Sequence, residues 1–221
     1  MKTKAIIFDM DGTTVNTLDG IMYAMNCVLE EAHFPTHELG AYKRFIGSGL
    51  KALISKALPE TNQTEEEISK YLKLMIDSYS KNWEYKLHLY KGIPQLLDEL
   101  TSRDIKLAIN TNKLDDIAKL ITDKYFSEWE ISCVIGDRSD VPKKPNPAGS
   151  IMIMNALGVT PKECIYVGDS EVDIETAINA RLKVVGVGWG YRERDKLVNA
   201  NYIIESPMEL LEILDILDGN E

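Results

Sequence analysis

Ile6-Ile7-Phe8-Asp9-Met10-Asp11-Gly12-Thr13 runs from unbroken apolar side chains straight into two carboxylates set two residues apart. Residues 4 to 8 read as a buried parallel strand, because a strand covered on both faces shows continuous apolar character rather than alternation. Asp9 and Asp11 then fall at its C-terminal edge, where open α/β sheets bind their ligands. Gly12 permits a tight turn there, and Thr13 adds a hydroxyl. Taken alone, the stretch is equally a strand running into a polar Asp-x-Asp-Gly turn, so the rest of the chain has to decide.

Comparable apolar runs recur at Leu107-Ala108-Ile109, Ile131-Ser132-Cys133-Val134-Ile135, Ile165-Tyr166-Val167 and Val184-Val185-Gly186-Val187. Most are separated by helix-like stretches, which predicts an α/β fold, a doubly wound parallel sheet of Rossmann-like type. Tyr202-Ile203-Ile204 is a weaker sixth candidate, and Met208, Leu211, Leu214 and Leu217 are spaced for an acidic closing helix over Pro207 to Leu217. Between the first two runs the gap is far too long for one crossover. Within it, helices are expected over Leu18 to Ala32, Ala41 to Phe45, Leu50 to Leu58 and Thr64 to Tyr85, with breaks at Pro35, Gly47-Ser48-Gly49 and Pro59. Asn16 and Thr17 suit the start of the first helix, and Thr64 with Glu67 has capping-box spacing. The expected organisation is therefore a core of residues 1–16 and 87–221 interrupted by an α-helical insert of residues 17–86.

With 221 residues, 44% hydrophobic and 27% charged, the chain has enough apolar content for a full core. A formal charge of −10 argues against nucleic acid as a partner, since backbone binding needs clustered Lys and Arg. Any anion site must supply its own positive charge locally, from a metal, a few basic side chains and helix N-termini. Cys27, Cys133 and Cys164 are odd in number and widely spaced, which indicates neither a disulfide framework nor a zinc site. A strand that begins within a few residues of Met1 leaves no room for a signal peptide, and no apolar run is long enough to span a membrane. These features predict a soluble, cytoplasmic protein.

Four sequence-distant features follow predicted core strands: Asp9-Met10-Asp11, Asn110-Thr111-Asn112-Lys113, Lys143-Lys144-Pro145-Asn146-Pro147 and Gly168-Asp169-Ser170-Glu171-Val172-Asp173. In type, order and strand context they resemble the four motifs of the haloacid dehalogenase superfamily of phosphohydrolases, across nearly the whole chain. The helical insert resembles that superfamily's C1 cap domain. A coincidence of all four motifs is far more specific than any one of them.

The chemistry such a constellation serves can be stated from the residues. Phosphoryl transfer spreads negative charge over the equatorial oxygens of its transition state. A carboxylate is ionised at neutral pH and can attack phosphorus, so Asp9 is expected to be the nucleophile that forms an aspartyl-phosphate. Asp11 is expected to protonate the leaving oxygen and then to deprotonate the attacking water, a role that asks for a raised pKa. Two carboxylates facing a dianion call for a hard cation, and Mg²⁺ with oxygen ligands suits the site. Asp9 and Asp169 are the expected side-chain ligands, and Asp173, one helical turn on, would support the metal through water while Glu171 points elsewhere. The resemblance implies that Asp11 contributes its backbone carbonyl to the metal, not its side chain. Thr111 and Asn112 would present a hydroxyl, an amide and backbone N–H groups to the phosphoryl oxygens at a helix start. Lys144, which directly precedes Pro145, matches the superfamily's lysine and would screen Asp9. Lys143 reads as a solvated loop residue.

A small phosphorylated metabolite is the expected partner, but the core motifs do not say which. Arg44-Phe45-Ile46-Gly47-Ser48-Gly49 on the insert is similar to the specificity loop of phosphoglycolate phosphatases, and so is Gly188-Trp189-Gly190-Tyr191-Arg192. Arg44 could take a substrate carboxylate or second phosphate bidentately. Hydrolysis of 2-phosphoglycolate is therefore the leading expectation. Alternatives within the same superfamily are an inorganic pyrophosphatase and a sugar-phosphate phosphatase or phosphomutase; Ile21, where such mutases typically carry His, and Thr13 both favour hydrolysis. A dehalogenase lacks the second carboxylate that Asp11 supplies, and a silent binding protein would be expected to have lost a motif residue. Thr14 and Asn16 depart from the Leu and Asp common in the superfamily, which bears on hinge behaviour or substrate preference rather than on the chemistry.

Overall fold

A computed structural model describes residues 2–219. In chain order its elements are β1 (Ala5–Phe8), β2 (Val15–Asn16), α1 (Leu18–Glu31), α2 (Leu39–Phe45), α3 (Leu50–Ala57), α4 (Glu65–Asn82), β3 (His88–Leu89) and α5 (Ile93–Ser102). They continue as β4 (Lys106–Leu114), α6 (Asp115–Tyr125), β5 (Ile131–Asp137), α7 (Ala148–Leu157), β6 (Cys164–Gly168), α8 (Glu171–Asn179), β7 (Lys183–Val187), β8 (Tyr202–Ile204) and α9 (Glu209–Gly219). The chain divides into two compact units, one made of the residues up to Val15 together with those from Leu89 onward, the other of Asn16–His88.

The first unit is built on a six-stranded sheet in the order β5-β4-β1-β6-β7-β8, with every adjacent pair parallel. β1 is central because both its faces are apolar and every one of its residues is buried. Ala5, Ile7, Ala108, Tyr166 and Val184 turn to one face and pack with Ile153, Met154 and Leu157 of α7 and Ile174 and Ala177 of α8. Ile6, Phe8, Leu107, Ile109, Ile165 and Val167 alternate to the other face and are equally buried, so the sheet is covered on both sides. Each fully buried Ile or Phe contributes roughly 1.5–3 kcal/mol relative to exposure, and β1 and β6, buried along their whole length, carry no charged residue. The result is the expected doubly wound α/β architecture. The register aligns the last residues of three apolar runs: Phe8 lies opposite Ile109 of β4 and opposite Val167 of β6.

The strands differ from expectation in one respect that matters. β4 does not stop at Ile109 but continues through Asn110-Thr111-Asn112-Lys113 to Leu114, with an irregular register against β5 between Asn110 and Leu114. Thr111 and Asn112 thus lie on a strand extension rather than at a helix start, since α6 opens only at Asp115. Polar residues hide this extension from an apolar-run criterion.

The second unit packs α1 against α4 and α2, and α3 against α2 and α4. Met25, Leu29, Leu53, Ile54, Met75 and Tyr79 fill its interior. A polar network pins its loop: Asn26 accepts from Tyr42 Oη at 2.7 Å and from His37 N at 3.1 Å, and His37 Nε2 lies 2.8 Å from Ala57 O. At the start of α1 it is Asn16, not Thr17, whose side-chain oxygen accepts a backbone N–H, that of Leu18 at 3.2 Å. Thr64 caps α4 by accepting from Glu67 N.

Candidate active site

Three parallel strands lie side by side, and each delivers polar groups just past its buried apolar run. β1 gives Asp9, whose N–H continues the ladder onto Val167 O at 2.8 Å. β6 gives Gly168 and Asp169, and the extension of β4 gives Thr111, Asn112 and Lys113. The loop before α7 brings Lys144, whose bond to Pro145 is cis.

Lys144 is the hub. Its buried ammonium donates to Asp9 Oδ1 at 2.7 Å, to Asp173 Oδ1 at 2.6 Å and to the Tyr166 hydroxyl at 3.2 Å, which uses all three of its protons. Tyr166 in turn donates to Asn110 O at 3.1 Å. The backbone of Lys144 is held on both sides by one residue: its N–H donates to Asn112 Oδ1 at 2.9 Å, and its C=O accepts from Asn112 Nδ2 at 3.1 Å. The Asn112 amide, expected to face a phosphoryl group, is spent on fixing the lysine loop. Lys143 reaches Asp137 instead, at 2.6 Å, outside the cluster.

Asp173 anchors α8. It closes a capping box with Ser170, whose hydroxyl donates to Asp173 Oδ2 at 2.5 Å and accepts from Asp173 N at 3.3 Å. Glu171 turns away and pairs with Arg192 at 3.2 Å. Asp169 accepts from Tyr191 N at 2.7 Å, and Trp189 Nε1 donates to Thr13 O at 3.0 Å, so the segment after β7 braces both Asp169 and the turn after β1. Gly12 is in a left-handed conformation, φ 89°, and a Cβ there would strike the Asp169 carboxylate and the Tyr191 ring.

Asp9, Asp169 and Asp173, all buried, place one carboxylate oxygen each within 4.8 Å of one another. Burial, and then the charge of Asp173, push the Asp9 carboxyl up to about 7 even though Lys144 pulls it down. Burial, with Asp173 and Asp9 beside it, holds Asp169 well above the usual carboxylate range. Burial works against the charge on Lys144, but Asp173 and Asp9 outweigh it and keep the ammonium protonated well above its ordinary value. One lysine therefore faces three clustered carboxylates, and the surplus negative charge is what a hard cation with oxygen ligands would neutralise. The donor set fits a divalent metal.

Asp11 pairs its carboxylate with Lys113, whose Nζ lies 2.8 Å from Oδ1 and 2.9 Å from Oδ2. Thr111 Oγ1 accepts from Lys113 N at 3.2 Å. Asp9, Asp11, Thr111, Asn112, Lys144, Asp169 and Asp173 thus converge on one sheet edge of the first unit. Arg44 does not belong to that unit: it is exposed on the last turn of α2, where its guanidinium donates to Gly40 O at 3.0 Å. The sequence places Lys113 inside the second motif without a role and Trp189 and Tyr191 inside a segment likened to a specificity loop, so their contacts here are new; Tyr166 is signalled only as a hydroxyl inside an otherwise apolar strand.

Residues 6–187 match the family model described as haloacid dehalogenase-like hydrolase. The chain is 27% identical over 212 residues to a phosphoglycolate phosphatase of Aquifex aeolicus, covering 96% of this chain and 97% of that protein. It is 30% identical over 198 residues to a phosphoglycolate phosphatase of Rhodospirillum rubrum, covering 85% and 80%. Among solved structures, a predicted phosphoglycolate phosphatase from Haemophilus somnus superposes with a TM-score of 0.88 at 27% identity, covering 96% of this chain and 98% of that one.

Proposed function

This chain belongs to the haloacid dehalogenase-like hydrolase family, and from that membership we propose that it is a Mg²⁺-dependent phosphatase that hydrolyses 2-phosphoglycolate through an aspartyl-phosphate on Asp9. The observation that carries the reading is the pairing of Asp9 with Lys144 beside Asp169 on one sheet edge. Relatives named for phosphoglycolate that match nearly end to end support the substrate.

In this mechanism the Lys144 bond leaves Asp9 one oxygen for attack while holding the carboxylate in a fixed orientation. The bond from phosphorus to the leaving oxygen breaks as that oxygen takes a proton from Asp11. Water then attacks the aspartyl-phosphate, gives its proton to Asp11 and releases phosphate, restoring both residues. Thr111, whose hydroxyl oxygen already accepts from Lys113 N, keeps its own proton for a phosphoryl oxygen. Asp9 and Asp169 would hold the metal with the Asp11 carbonyl, and Asp173 would support it from its position on Lys144 and Ser170. The metal, when bound, offsets charge on the phosphoryl oxygens. The helical unit is assigned the part of a cap that chooses the substrate, with Arg44 offered to the glycolate carboxylate.

A kinetic panel with Mg²⁺ tests this, comparing 2-phosphoglycolate, pyrophosphate and sugar phosphates, with Asp9→Asn as control. The expected outcome is the highest kcat/KM on 2-phosphoglycolate and a loss of at least about 10³-fold in the variant without loss of fold. Preference for pyrophosphate would replace the substrate assignment, and appreciable turnover by Asp9→Asn would overturn the nucleophile.

A further inference from the structure

Lys113 is one of the most deeply buried cations of the described residues in the first unit, its side chain 2% exposed against 13% for its partner Asp11. Nothing in the ladder of β1 requires it there. The pairing of β1 with β4 ends at Phe8 and Ile109, yet β4 runs on to Leu114 while β1 breaks into the turn after Asp9. The irregular register beyond Asn110, together with the Lys113 N–H bond to Thr111 Oγ1, sets the strand extension beside that turn and delivers an ammonium to both oxygens of Asp11. One ammonium within 2.9 Å of both oxygens, hydrogen-bonded to Oδ2, fixes the plane of the carboxylate as well as its position.

We propose that Lys113 is a positioning residue for Asp11, holding its carboxyl at the angle from which it passes a proton to the leaving oxygen. This rests on the phosphatase reading above. The proton goes from Asp11 to the departing alkoxide as its bond to phosphorus breaks, and Asp11 recovers one from water when the aspartyl-phosphate is hydrolysed. Lys113 itself neither gains nor loses a proton. A group that acts through Asp11 should matter only where the leaving oxygen needs protonation, so the dependence on leaving group separates positioning from support of the fold.

The test compares Lys113→Met and Lys113→Arg with the unaltered protein on an alkyl phosphate and on p-nitrophenyl phosphate, whose phenolate leaves without help. Lys113→Met should lower kcat/KM on the alkyl ester by about 10²-fold, the lower end of general-acid contributions, and on the nitrophenyl ester by less than about threefold. Lys113→Arg should recover part of the alkyl activity, and inhibition by inorganic phosphate should stay within about twofold of the unaltered protein in both variants. Equal losses on the two esters would overturn the proposal in favour of a structural role, and weakened phosphate inhibition would overturn it in favour of substrate binding. If the methionine variant does not fold, the arginine variant alone decides, by whether its loss is selective for the alkyl ester. Failure of the unaltered protein to release phosphate from any ester would defeat the phosphatase reading itself, an outcome separate from either of these.

Discussion

At the scale of residues, the site is a problem in charge balance. Asp9 is pushed up to about 7 by burial and by Asp173, so in the metal-free protein it retains a proton that the unfolded chain, with a carboxyl near 3.8, has already lost. Between those values Asp9 binds more protons in the native state than in the unfolded one, so its contribution to stability falls as pH rises from about 4 to about 7. A divalent cation competes for the same carboxylates and binds better as they ionise. The Mg²⁺-induced rise in Tm should therefore be larger at pH 7.5 than at pH 5.5, read by thermal unfolding with EDTA as the reference. Equal increments at both pH values would mean that the metal does not meet this cluster. Much of the residue list was legible beforehand, because carboxylates and a lysine just past apolar strands have few structural uses. What stayed hidden is who holds whom. Asn112 on the Lys144 backbone, Lys113 on Asp11 and Tyr166 under Lys144 are contacts between strands and loops distant in sequence, and no local pattern encodes them.

At the scale of elements, strand ends place the chemistry and neighbouring segments lock it. The segment after β7 was expected to influence substrate choice, but in the fold its backbone is bonded to Asp169 and its indole to Thr13. Gly190 allows this approach, since a Cβ there would collide with the Asp169 side chain. Gly190→Ala should displace that carboxylate from Asp9 and Asp173 and weaken Mg²⁺ binding by about 10- to 100-fold, a typical cost for disturbing a ligand's support. Titration calorimetry without substrate checks it, and unchanged affinity would remove Asp169 from the metal set. The parallel strands were readable because burial on both faces leaves unbroken apolar runs, whereas β2 and β3 are two residues each and too short to carry a pattern. The extension of β4 escaped for the opposite reason: its residues are polar because the site uses them.

At the scale of the whole molecule, the proposed function puts reaction and selectivity in different units. The first unit holds every core-motif residue, and the helical unit holds Arg44. If Arg44 recognises the glycolate carboxylate, Arg44→Ala should raise KM for 2-phosphoglycolate about tenfold or more, within the range of a lost charged hydrogen bond, and leave p-nitrophenyl phosphate hydrolysis unchanged. Steady-state kinetics on the two substrates decides it, and parallel changes would remove Arg44 from recognition.

The central place of β1 also governs the order in which the protein can come into being. Its sheet partners, β4 and β6, begin at Lys106 and Cys164, so β1 leaves the ribosome before both neighbours and waits for the second until Cys164–Gly168 has been synthesised. Contacts so far apart in sequence slow folding, because loop closure precedes any reward from pairing. Until Gly168 emerges, one edge of Ala5–Phe8 is an unpaired apolar template of the kind that recruits other chains. The helical segment Asn16–His88 has most of its contacts within itself and emerges whole long before that point. Phosphatase activity is thus a late product of biogenesis, and a chain that stops short of β6 would carry Asp9 with neither Asp169 and Asp173 beside it nor the sheet to hold it.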